Sequence, residues 1–416
     1  MRILLWHGYL LGGTGSNVYT RQLAREWSRT GHEVVVLCQE LHPDRFDLGG
    51  ATVVRPDVHG LLPVFVLDRY EGYVVKRVPD CTRAELERWV EANADAVRRQ
   101  RPADLLLTNH ALLGGPVGVA SGGSFAVKVH GSELEYAMRG NEELSRWGAQ
   151  MLAAARATFV GSAHIRGALE EVCGPVPRVH EIPPGVDVEH WRPEPRPAAL
   201  EALVAEARRD RPNPGNAEER LPDDGNDTRL SAFLDRPRPV IVYFGKLIEQ
   251  KGVHVLLDAL EGLAAALVVV GFGPERAGLE RRAAELGVDA LFTGPLEHRH
   301  LRHLLALADA CVVPSIFPEA FGMVAAEAAA AGCPPLVARH SGLAEVAEGL
   351  EAGLPSHLGR LVSFPVGDAA ALRNRLDDLL ALGADDRRTL RRGVRAVVEE
   401  RWSWAKVARR LLDASV

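Results

Sequence analysis

Short apolar runs alternate with amphipathic stretches along the first half of the chain, which predicts strands that alternate with helices. Residues 3–6 predict a buried strand, a glycine-rich turn follows at 12–16, and residues 17–29 predict a helix that ends near Gly31. Further predicted strands lie at 34–38, 105–108, 125–129 and 158–160. Short strands separated by helices are typical of βαβ units and a parallel sheet.

The second half of the chain repeats this pattern. Helices are predicted at about 253–263 and 276–286. The predicted strands lie at 240–244, 267–270, 290–293, 310–313, 336–338 and 361–363. We therefore expect an α/β protein with two separate doubly wound domains.

The residues between the two halves, 193–239, are dense in proline, glycine, asparagine and charge. Such a composition buries little apolar surface, so we expect an exposed, partly disordered insertion with one short helix at 198–208. The predicted domains are then residues 1–190 and 240–401. The chain ends in an arginine-rich helical stretch, whose charges we interpret as a solvated face.

Composition narrows the class of protein. The chain has 416 residues, of which 47% are hydrophobic and 25% charged, and its net charge of −6 argues against a nucleic-acid partner. No apolar run approaches the roughly 20 residues of a membrane helix, so we expect a cytoplasmic protein without a transmembrane segment. Five separated cysteines without C-x-x-C spacing predict free thiols and neither a disulfide framework nor a zinc site.

Glu319 and Glu327 lie eight positions apart, one in a predicted loop and one in the alanine-rich helix that follows. Residues at that spacing lie about 12 Å apart on nearly the same helix face. Free N–H groups at the helix start can bind anionic or hydroxyl oxygen. Two carboxylates arranged in this way suit an elongated ligand such as a nucleotide sugar, although two solvated glutamates would give the same pattern.

A glycine-rich turn, Gly12 to Ser16, joins the first strand to the first helix, where backbone can approach a phosphate. A dinucleotide fingerprint G-x-G-x-x-G read from Gly13 fails at Val18. Because Glu40 stands near the end of the second strand as a conceivable acidic partner, NAD binding remains an open alternative.

Two further segments carry candidate chemistry. His130 ends a predicted strand next to a glycine, which suits either a ligand contact or a histidine that caps nearby backbone. Lys246 and Lys251 lie between a strand and a helix, so both cations reach one loop. Fixed cations in this position could stabilise a departing diphosphate. The simpler alternative is that both lysines are ordinary surface residues without a ligand.

Taken in order, these segments resemble the motifs of retaining family 4 glycosyltransferases, including the E-x7-E pair. The resemblance implies the GT-B fold, with two Rossmann-like domains facing a central cleft and a last helix, 402–416, packed on the first domain. Its motifs lie at 12–16, 31–34, 130–131, 182–187, 245–252, 271–274 and 319–327. Two departures are Lys246, where the family commonly has arginine, and Ser341, where it often has glycine.

The resemblance assigns a role to each candidate residue. His130 and Glu319 would contact hydroxyls of the transferred sugar, Glu327 the ribose, and the two lysines the diphosphate. The catalytic set is then His130, Glu319, Lys246 and Lys251. Backbone near Leu296 would contact the base. Further donor contacts fall on Gly13, Gly271, Phe321, Gly322 and Met323. Acceptor contacts fall on Gly12, Asn17 and Ser132.

The implied reaction moves a hexosyl unit from a nucleoside diphosphate, UDP being commonest in the family, to a hydroxyl acceptor. The acceptor would be a small molecule, a glycan or a lipid-linked acceptor. Configuration is retained by front-face attack, without a metal or cofactor. Three alternatives stay open: a GT-B hydrolase or epimerase acting on a nucleotide sugar, a non-catalytic sugar-nucleotide-binding protein, and an NAD-dependent dehydrogenase.

Overall fold

The computed structural model describes residues 1–67 and 70–415. These residues form two compact units: one contains Met1–Gly185 and the C-terminal residues from Trp404, and the other contains Val186–Ser403. The boundary at Gly185 lies inside the segment 182–187, one of the motifs that carry the family resemblance. We call the two units the first and the second domain.

The described residues of the first domain form nine strands, and most of the helices of this domain lie between them. The strands are β1 (Arg2–Trp6), β2 (Glu33–Leu37), β3 (Thr52–Val54), β4 (Leu61–Val64), β5 (Val74–Arg77), β6 (Leu105–Asn109), β7 (Ala126–Lys128), β8 (Ala157–Val160) and β9 (Val179–Glu181). The helices between them are α1 (Gly15–Arg29), α2 (Arg83–Arg99), α3 (Gly115–Ala120), α4 (Glu142–Ala154) and α5 (Ala163–Cys173).

Seven of these strands form one parallel sheet in the order β3-β2-β1-β6-β7-β8-β9, and β4 and β5 pair separately. The residues of β1 alternate between two apolar cores, because successive side chains of a strand point to opposite faces. Leu4 and Trp6 join the core on one face, and Ile3 and Leu5 join the core on the other. Both faces of the sheet are therefore covered, as a parallel sheet requires.

The second domain contains a second parallel sheet. Its strands are β10 (Val240–Phe244), β11 (Ala266–Val270), β12 (Ala290–Phe292), β13 (Ala310–Val313), β14 (Pro335–Ala338) and β15 (Ser363–Phe364), in the order β12-β11-β10-β13-β14-β15. The helices from here to the C-terminus are α6 (Arg196–Ala207), α7 (Asn226–Leu234), α8 (Val253–Leu260), α9 (Arg276–Glu285), α10 (His298–Leu307), α11 (Met323–Ala330), α12 (Ser341–Ala352), α13 (Ser356–Gly359), α14 (Ala369–Leu380), α15 (Ala384–Arg401) and α16 (Trp404–Ser415).

The last helix, α16, belongs to the first domain. Trp404, Val407 and Leu411 are buried in the core that also contains Ile3. The indole N–H of Trp27 in α1 donates to the carbonyl oxygen of Ala408, at 3.0 Å. The C-terminal helix is thus fixed to α1 by apolar burial and one buried hydrogen bond.

The predicted exposed insertion at 193–239 is wrong in its main feature. Its residues form two helices, α6 and α7, whose side chains Leu203, Leu230 and Phe233 are buried in the core of the second domain. Asp223, which is 5% exposed, receives two hydrogen bonds from Arg276, at 2.7 and 2.6 Å. The segment is therefore an ordered part of the second domain.

Other differences from the sequence prediction are local. Strands β3, β4, β5 and β9 were not predicted, since each has only three or four residues and contains either polar residues or, in β4, a proline. The strand predicted at 361–363 lies at Ser363–Phe364, because Leu361 turns back to bond the carbonyl of Leu358 at the end of α13. All five cysteines are free thiols. Among the helices of the described residues, none has the length and apolarity needed to cross a membrane.

Candidate functional site

The second sheet changes direction between two neighbouring strands, β10 and β13. From β10 the chain proceeds to β11 on one side, whereas from β13 it proceeds to β14 on the other. In open α/β sheets, ligands bind beyond the carboxyl ends of the strands at such a switch point. The loops that follow β10 and β13 carry Lys251 and Glu319, so the sequence motifs fall at this position.

Backbone contacts hold the two loops together. Gly252 has φ +66, and a Cβ there would lie 2.0 Å from the carbonyl oxygen of Pro314. The N–H of Ile316 donates to the carbonyl of Gln250, at 2.9 Å. Close backbone approach thus requires glycine at 252 and places Lys251 beside the loop that carries Glu319.

Lys251 and Glu319 form an ion pair in which the lysine Nζ donates to Glu319 Oε1. Ser315 Oγ donates to the same carboxylate oxygen, at 2.7 Å. The two side chains remain 31% and 22% exposed, respectively. The structure therefore brings together two of the predicted site residues and leaves both accessible to a ligand.

Ser341, a departure from the resembled motif, fixes the backbone of Glu319. Its hydroxyl accepts from the N–H of Glu319 at 2.9 Å, and its own backbone has φ +48. His340 Nε2 donates to the carbonyl of Ser315 at 2.7 Å, which leaves His340 Nδ1 to accept from the Ser341 hydroxyl at 3.2 Å. The serine thus adopts the left-handed backbone that glycine would favour and adds a hydrogen bond.

The loop after Glu319 leads into α11 through a tightly packed glycine. Gly322 has φ +112, and a Cβ there would lie 2.6 Å from Leu343 Cδ2. Phe321 is buried and its ring meets Trp402 edge-on at a centroid distance of 5.5 Å. Met323, which begins α11, is partly buried. The side chain of Phe321 therefore serves the core, and only its backbone is available for a ligand role.

Glu327 lies in α11 and is 9% exposed. Burial raises the pKa of its carboxyl group to about 8. Within the described residues, no group donates a hydrogen bond to this carboxyl. A buried acid without a partner is costly to ionise, so Glu327 is mostly protonated at neutral pH in the ligand-free protein.

The remaining donor candidates of the second domain differ in exposure. Lys246 is exposed, and its carbonyl accepts from the Tyr243 hydroxyl at 2.8 Å. Gly271 has a packing role, because a Cβ there would lie 1.8 Å from the carbonyl oxygen of Gly245. Leu296 is buried, so any contact from it to a base would be made by backbone.

The first sheet has its own switch point, between β1 and β6. His7 follows β1, His110 follows β6, and the predicted His130 follows the adjacent strand β7. The rings of His110 and His130 lie 4.8 Å apart, and those of His7 and His110 lie 6.0 Å apart. Three histidines therefore cluster where a ligand is expected to bind in a sheet of this kind.

Two residues predicted to bind the acceptor substrate, Asn17 and Gly12, lie beside this cluster. Asn17 is buried; its amide nitrogen donates to the carbonyl of Gly12, and its Oδ1 accepts from His7 Nε2 at 2.8 Å. Gly12 is partly buried, whereas Gly13 is exposed with φ +92 and has open space where a Cβ would lie. Asn17 therefore positions His7, and its amide is not free to meet a ligand.

His130 is held by Asn109 and is uncharged. Its Nε2 donates to Asn109 Oδ1 at 2.7 Å, since the Asn109 amide nitrogen donates to the carbonyl of Trp6. Burial and the neighbouring His110 lower the pKa of His130 well below its ordinary value. The imidazole Nδ1 is thus a hydrogen-bond acceptor.

Glu133 is fully buried behind the histidines. It accepts from His110 Nδ1 at 3.1 Å, from the His130 N–H at 3.2 Å and from the Ser132 hydroxyl at 3.4 Å. Burial acts to raise the pKa of Glu133, but His110 and the hydrogen bonds outweigh it, so the pKa is lowered. The hydroxyl of Ser132, which the resemblance assigns to binding of the acceptor substrate, therefore donates to this carboxylate.

Sequence reasoning missed His7, His110, Glu133 and Asn109. One signal was present: the two histidines and the asparagine lie at or directly after the end of a buried apolar run. The carboxyl ends of parallel strands meet at one edge of a sheet, so polar residues at those ends converge.

Two solved structures illustrate the fold. The Anabaena protein HepE in complex with UDP is 16% identical, with a TM-score of 0.70, and the alignment covers 99% of both chains. Sucrose-phosphate synthase from Thermosynechococcus elongatus is 21% identical, with a TM-score of 0.64, and the alignment covers 99% of this chain and 97% of that one. The protein therefore has the GT-B fold, as the resemblance implies.

One similar relative is the GDP-mannose-dependent alpha-(1-6)-phosphatidylinositol monomannoside mannosyltransferase of Mycobacterium tuberculosis. It is 29% identical over 269 residues, which cover 62% of this chain and 60% of the relative. Residues 13–190 match the family model described as Glycosyltransferase Family 4, and residues 227–396 match the model Glycosyl transferases group 1. These two matches lie in separate domains and together cover most of the chain. The protein belongs to the family 4 glycosyltransferases.

Proposed function

We propose that the protein is a retaining glycosyltransferase that moves a sugar from a nucleoside diphosphate donor to a hydroxyl group of an acceptor. The observation that carries the proposal is the ion pair of Lys251 and Glu319 at the switch point of the second sheet. Both side chains are accessible. The cation of Lys251 suits the diphosphate of a nucleotide sugar, and the carboxylate of Glu319 suits its sugar hydroxyls.

In this proposal the donor lies across the loops after β10 and β13. Lys251 and Lys246 bind the diphosphate, Glu319 binds hydroxyls of the sugar, and Glu327 binds the ribose. Binding of the diphosphate draws Lys251 away from Glu319, which frees the carboxylate to accept from sugar hydroxyls. The cost is small, because a partly exposed ion pair contributes only about 0–1 kcal/mol.

The proposed reaction is a front-face displacement. The bond between the anomeric carbon and the β-phosphate oxygen breaks, and the acceptor oxygen bonds to the same face of that carbon. The acceptor proton passes to the departing phosphate oxygen, whose negative charge the two lysines stabilise. Retaining glycosidases instead use a carboxylate nucleophile about 5 Å from a second carboxyl. In this proposal Glu319 keeps the hydrogen bond from Ser315 and accepts from sugar hydroxyls, so it is less suited to that role.

Two nucleobases, uracil and guanine, are candidates for the donor. UDP is present in the HepE complex, whereas the mycobacterial relative is named for GDP-mannose. Both donors belong in the first experiment, with UDP as our leading candidate. We further propose that the reaction needs no metal ion or cofactor.

The dehydrogenase alternative depends on a free acidic residue after β2. Glu40 accepts from the N–H of Leu11 at 3.1 Å and from the N–H of His42 at 3.0 Å, so its carboxylate is used to shape the glycine loop. This arrangement, together with Val18 in place of a glycine, favours the transferase.

The proposal is tested by calorimetric titration of UDP, GDP, ADP, TDP and NAD in the presence of EDTA. We expect one nucleoside diphosphate to bind, and to add about 2.7 kcal/mol of stability at 100 times its dissociation constant. The matching nucleotide sugar should release its diphosphate in the same buffer. Binding of NAD alone would overturn the proposal in favour of a dehydrogenase, and tight diphosphate binding without turnover would favour a binding protein.

A further inference from the structure

His7 presents a buried hydrogen-bond acceptor that none of the described residues uses. Its Nε2 carries the proton, because it donates to Asn17 Oδ1 while the Asn17 amide nitrogen is committed to Gly12. The other ring nitrogen, Nδ1, is buried and has no hydrogen-bond partner among the described residues. Burial lowers the pKa of His7 to about 3, so the ring is neutral and this nitrogen keeps its lone pair.

His110 presents a second such acceptor. Its Nδ1 donates to Glu133, and both side chains are almost fully buried, at 2% and 0% exposed. A carboxylate behind an imidazole fixes the tautomer and leaves the far nitrogen, Nε2, as an acceptor. That nitrogen is also buried without a partner in the described part of the chain.

The backbone at His110 is strained. The residue has φ +71 and begins a π-helical turn, His110–Gly114. A left-handed conformation is unfavourable for a residue with a side chain. Strain of this kind and π-helical turns are both concentrated at functional sites.

The rings that carry these unused atoms are neighbours. The rings of His7 and Tyr9 are both adjacent to that of His110, at 6.0 and 5.4 Å between centroids. The Tyr9 hydroxyl is a third buried polar atom without a described partner. A buried polar atom that stays unpaired destabilises the folded protein, so we expect a ligand or water to satisfy these three.

We propose that His7, Tyr9 and His110 form the acceptor subsite of the first domain, and that the acceptor enters it with an uncharged polyol or sugar ring. Adjacent ring hydroxyls donate to His7 Nδ1 and His110 Nε2, and a third exchanges a hydrogen bond with Tyr9. The proposal rests on the transferase function and names its acceptor class.

The surroundings select this chemistry. Two lone pairs call for donors, which hydroxyl groups supply and carboxylate or phosphate groups do not. Phe65 packs on His110, at a centroid distance of 5.1 Å, and Tyr9 packs edge-on against Phe65. These aromatic faces suit the C–H surface of a sugar ring.

The test measures nucleoside diphosphate release from UDP-glucose and GDP-mannose with glycerol, myo-inositol, glucose, mannose or glucose 6-phosphate as acceptor. We expect an uncharged polyol to raise the release, and H7Q and H110Q each to raise its KM at least tenfold. The dissociation constant of the bare diphosphate should stay within twofold in both variants. The matched control is H59Q, since His59 is an exposed histidine of the same domain.

A second readout does not depend on the variants folding. In the wild-type protein labelled with 15N-histidine, the polyol should move the signals of His7 Nδ1 and His110 Nε2. Unchanged signals with every polyol would mean that the cluster holds only water, and would overturn the proposal even if diphosphate binds. An unchanged polyol KM in both variants, or a preference for glucose 6-phosphate, would also overturn it. Failure of every diphosphate to bind would count against the transferase function instead.

Discussion

Lys251 and Glu319 are 68 positions apart in the chain, yet they form an ion pair. They meet because β10 and β13 are neighbours in the sheet and because Gly252 lets the two loops touch. The pair places a cation and a carboxylate at the one point of the sheet where the chain direction reverses. A diphosphate could replace Glu319 as the partner of Lys251, and a sugar hydroxyl could replace Lys251 as the partner of Glu319.

Replacing Lys251 with alanine should weaken diphosphate binding far more than it weakens the fold. Hydrogen bonds to a charged group contribute about 1.5–3 kcal/mol, which corresponds to roughly a 10- to 150-fold rise in the dissociation constant. The free energy of unfolding should change by less than about 1 kcal/mol, because the pair is partly exposed. Calorimetry and urea unfolding measure the two quantities. K406A, which removes an exposed lysine of α16, is the control; equal loss of affinity in both variants would rule out a specific role.

Ser341 should respond differently to glycine and to alanine. S341A removes the hydrogen bond to the Glu319 N–H but keeps a side chain at φ +48, so we expect a loss of about 1 kcal/mol in unfolding free energy. S341G removes the same bond and relieves about 1 kcal/mol of backbone strain, so it should be close to neutral. Urea unfolding of the two variants decides this, and equal destabilisation would show that the serine backbone is not strained.

Gly322 should tolerate no side chain. G322A places a methyl group 2.6 Å from Leu343 Cδ2, in a buried position and with φ +112, so we expect a loss of about 1–3 kcal/mol. The matched variant G367A has positive φ but open space around the new methyl group, and should lose only the backbone term, about 1 kcal/mol. If chemical unfolding shows the same loss in both, the contact with Leu343 does not matter.

Glu327 should make the protein less stable as the pH rises. The pKa of its carboxyl is raised in the folded protein, from 4.5 to about 8. The folded state therefore holds its proton more tightly, and this contribution is fully present below about pH 4.5 and lost once the pH exceeds about 8. Across that window the slope is at most about 1.4 kcal/mol per pH unit. E327Q should remove it, as measured by urea unfolding at several pH values; identical slopes would contradict the shift.

Nucleotide binding should release protons from the same residue. If Glu327 accepts hydrogen bonds from ribose hydroxyls, binding favours the carboxylate over the acid. At pH 7 up to about one proton should therefore leave per bound diphosphate, as measured by calorimetry in buffers of different ionisation enthalpy. E327Q should bind with no such release, and wild-type binding without proton release would place the ribose elsewhere.

Many strands and helices of the second domain can be predicted from the pattern of apolar residues. The strand predicted at 310–313 has those bounds in the structure, because four buried apolar residues are followed directly by Pro314. The pairing of Lys251 with Glu319 was not predicted, although each was placed in a loop at a strand end. A single sequence contains no strand order, and strand order is what brings these two loops together.

The segment 193–239 shows where composition misleads. Its prolines, glycines and charges obscure a helical spacing of Leu230, Phe233 and Leu234, all of which are buried. The buried charge of Asp223 is stabilised by Arg276, which is 53 residues away, and nothing local in the sequence predicts that contact. His7 and His110 were missed for a related reason, since each looks like an ordinary residue after a strand until the sheet places them side by side.

The most direct test of the proposed reaction is the anomeric configuration of the first product formed from UDP-glucose or GDP-mannose, both of which are α-linked donors. Proton NMR can record the anomeric signal before mutarotation, with a polyol or water as acceptor. We expect the α-anomer, with nucleoside diphosphate released in equal amount. A β-configured first product would contradict front-face transfer with retention.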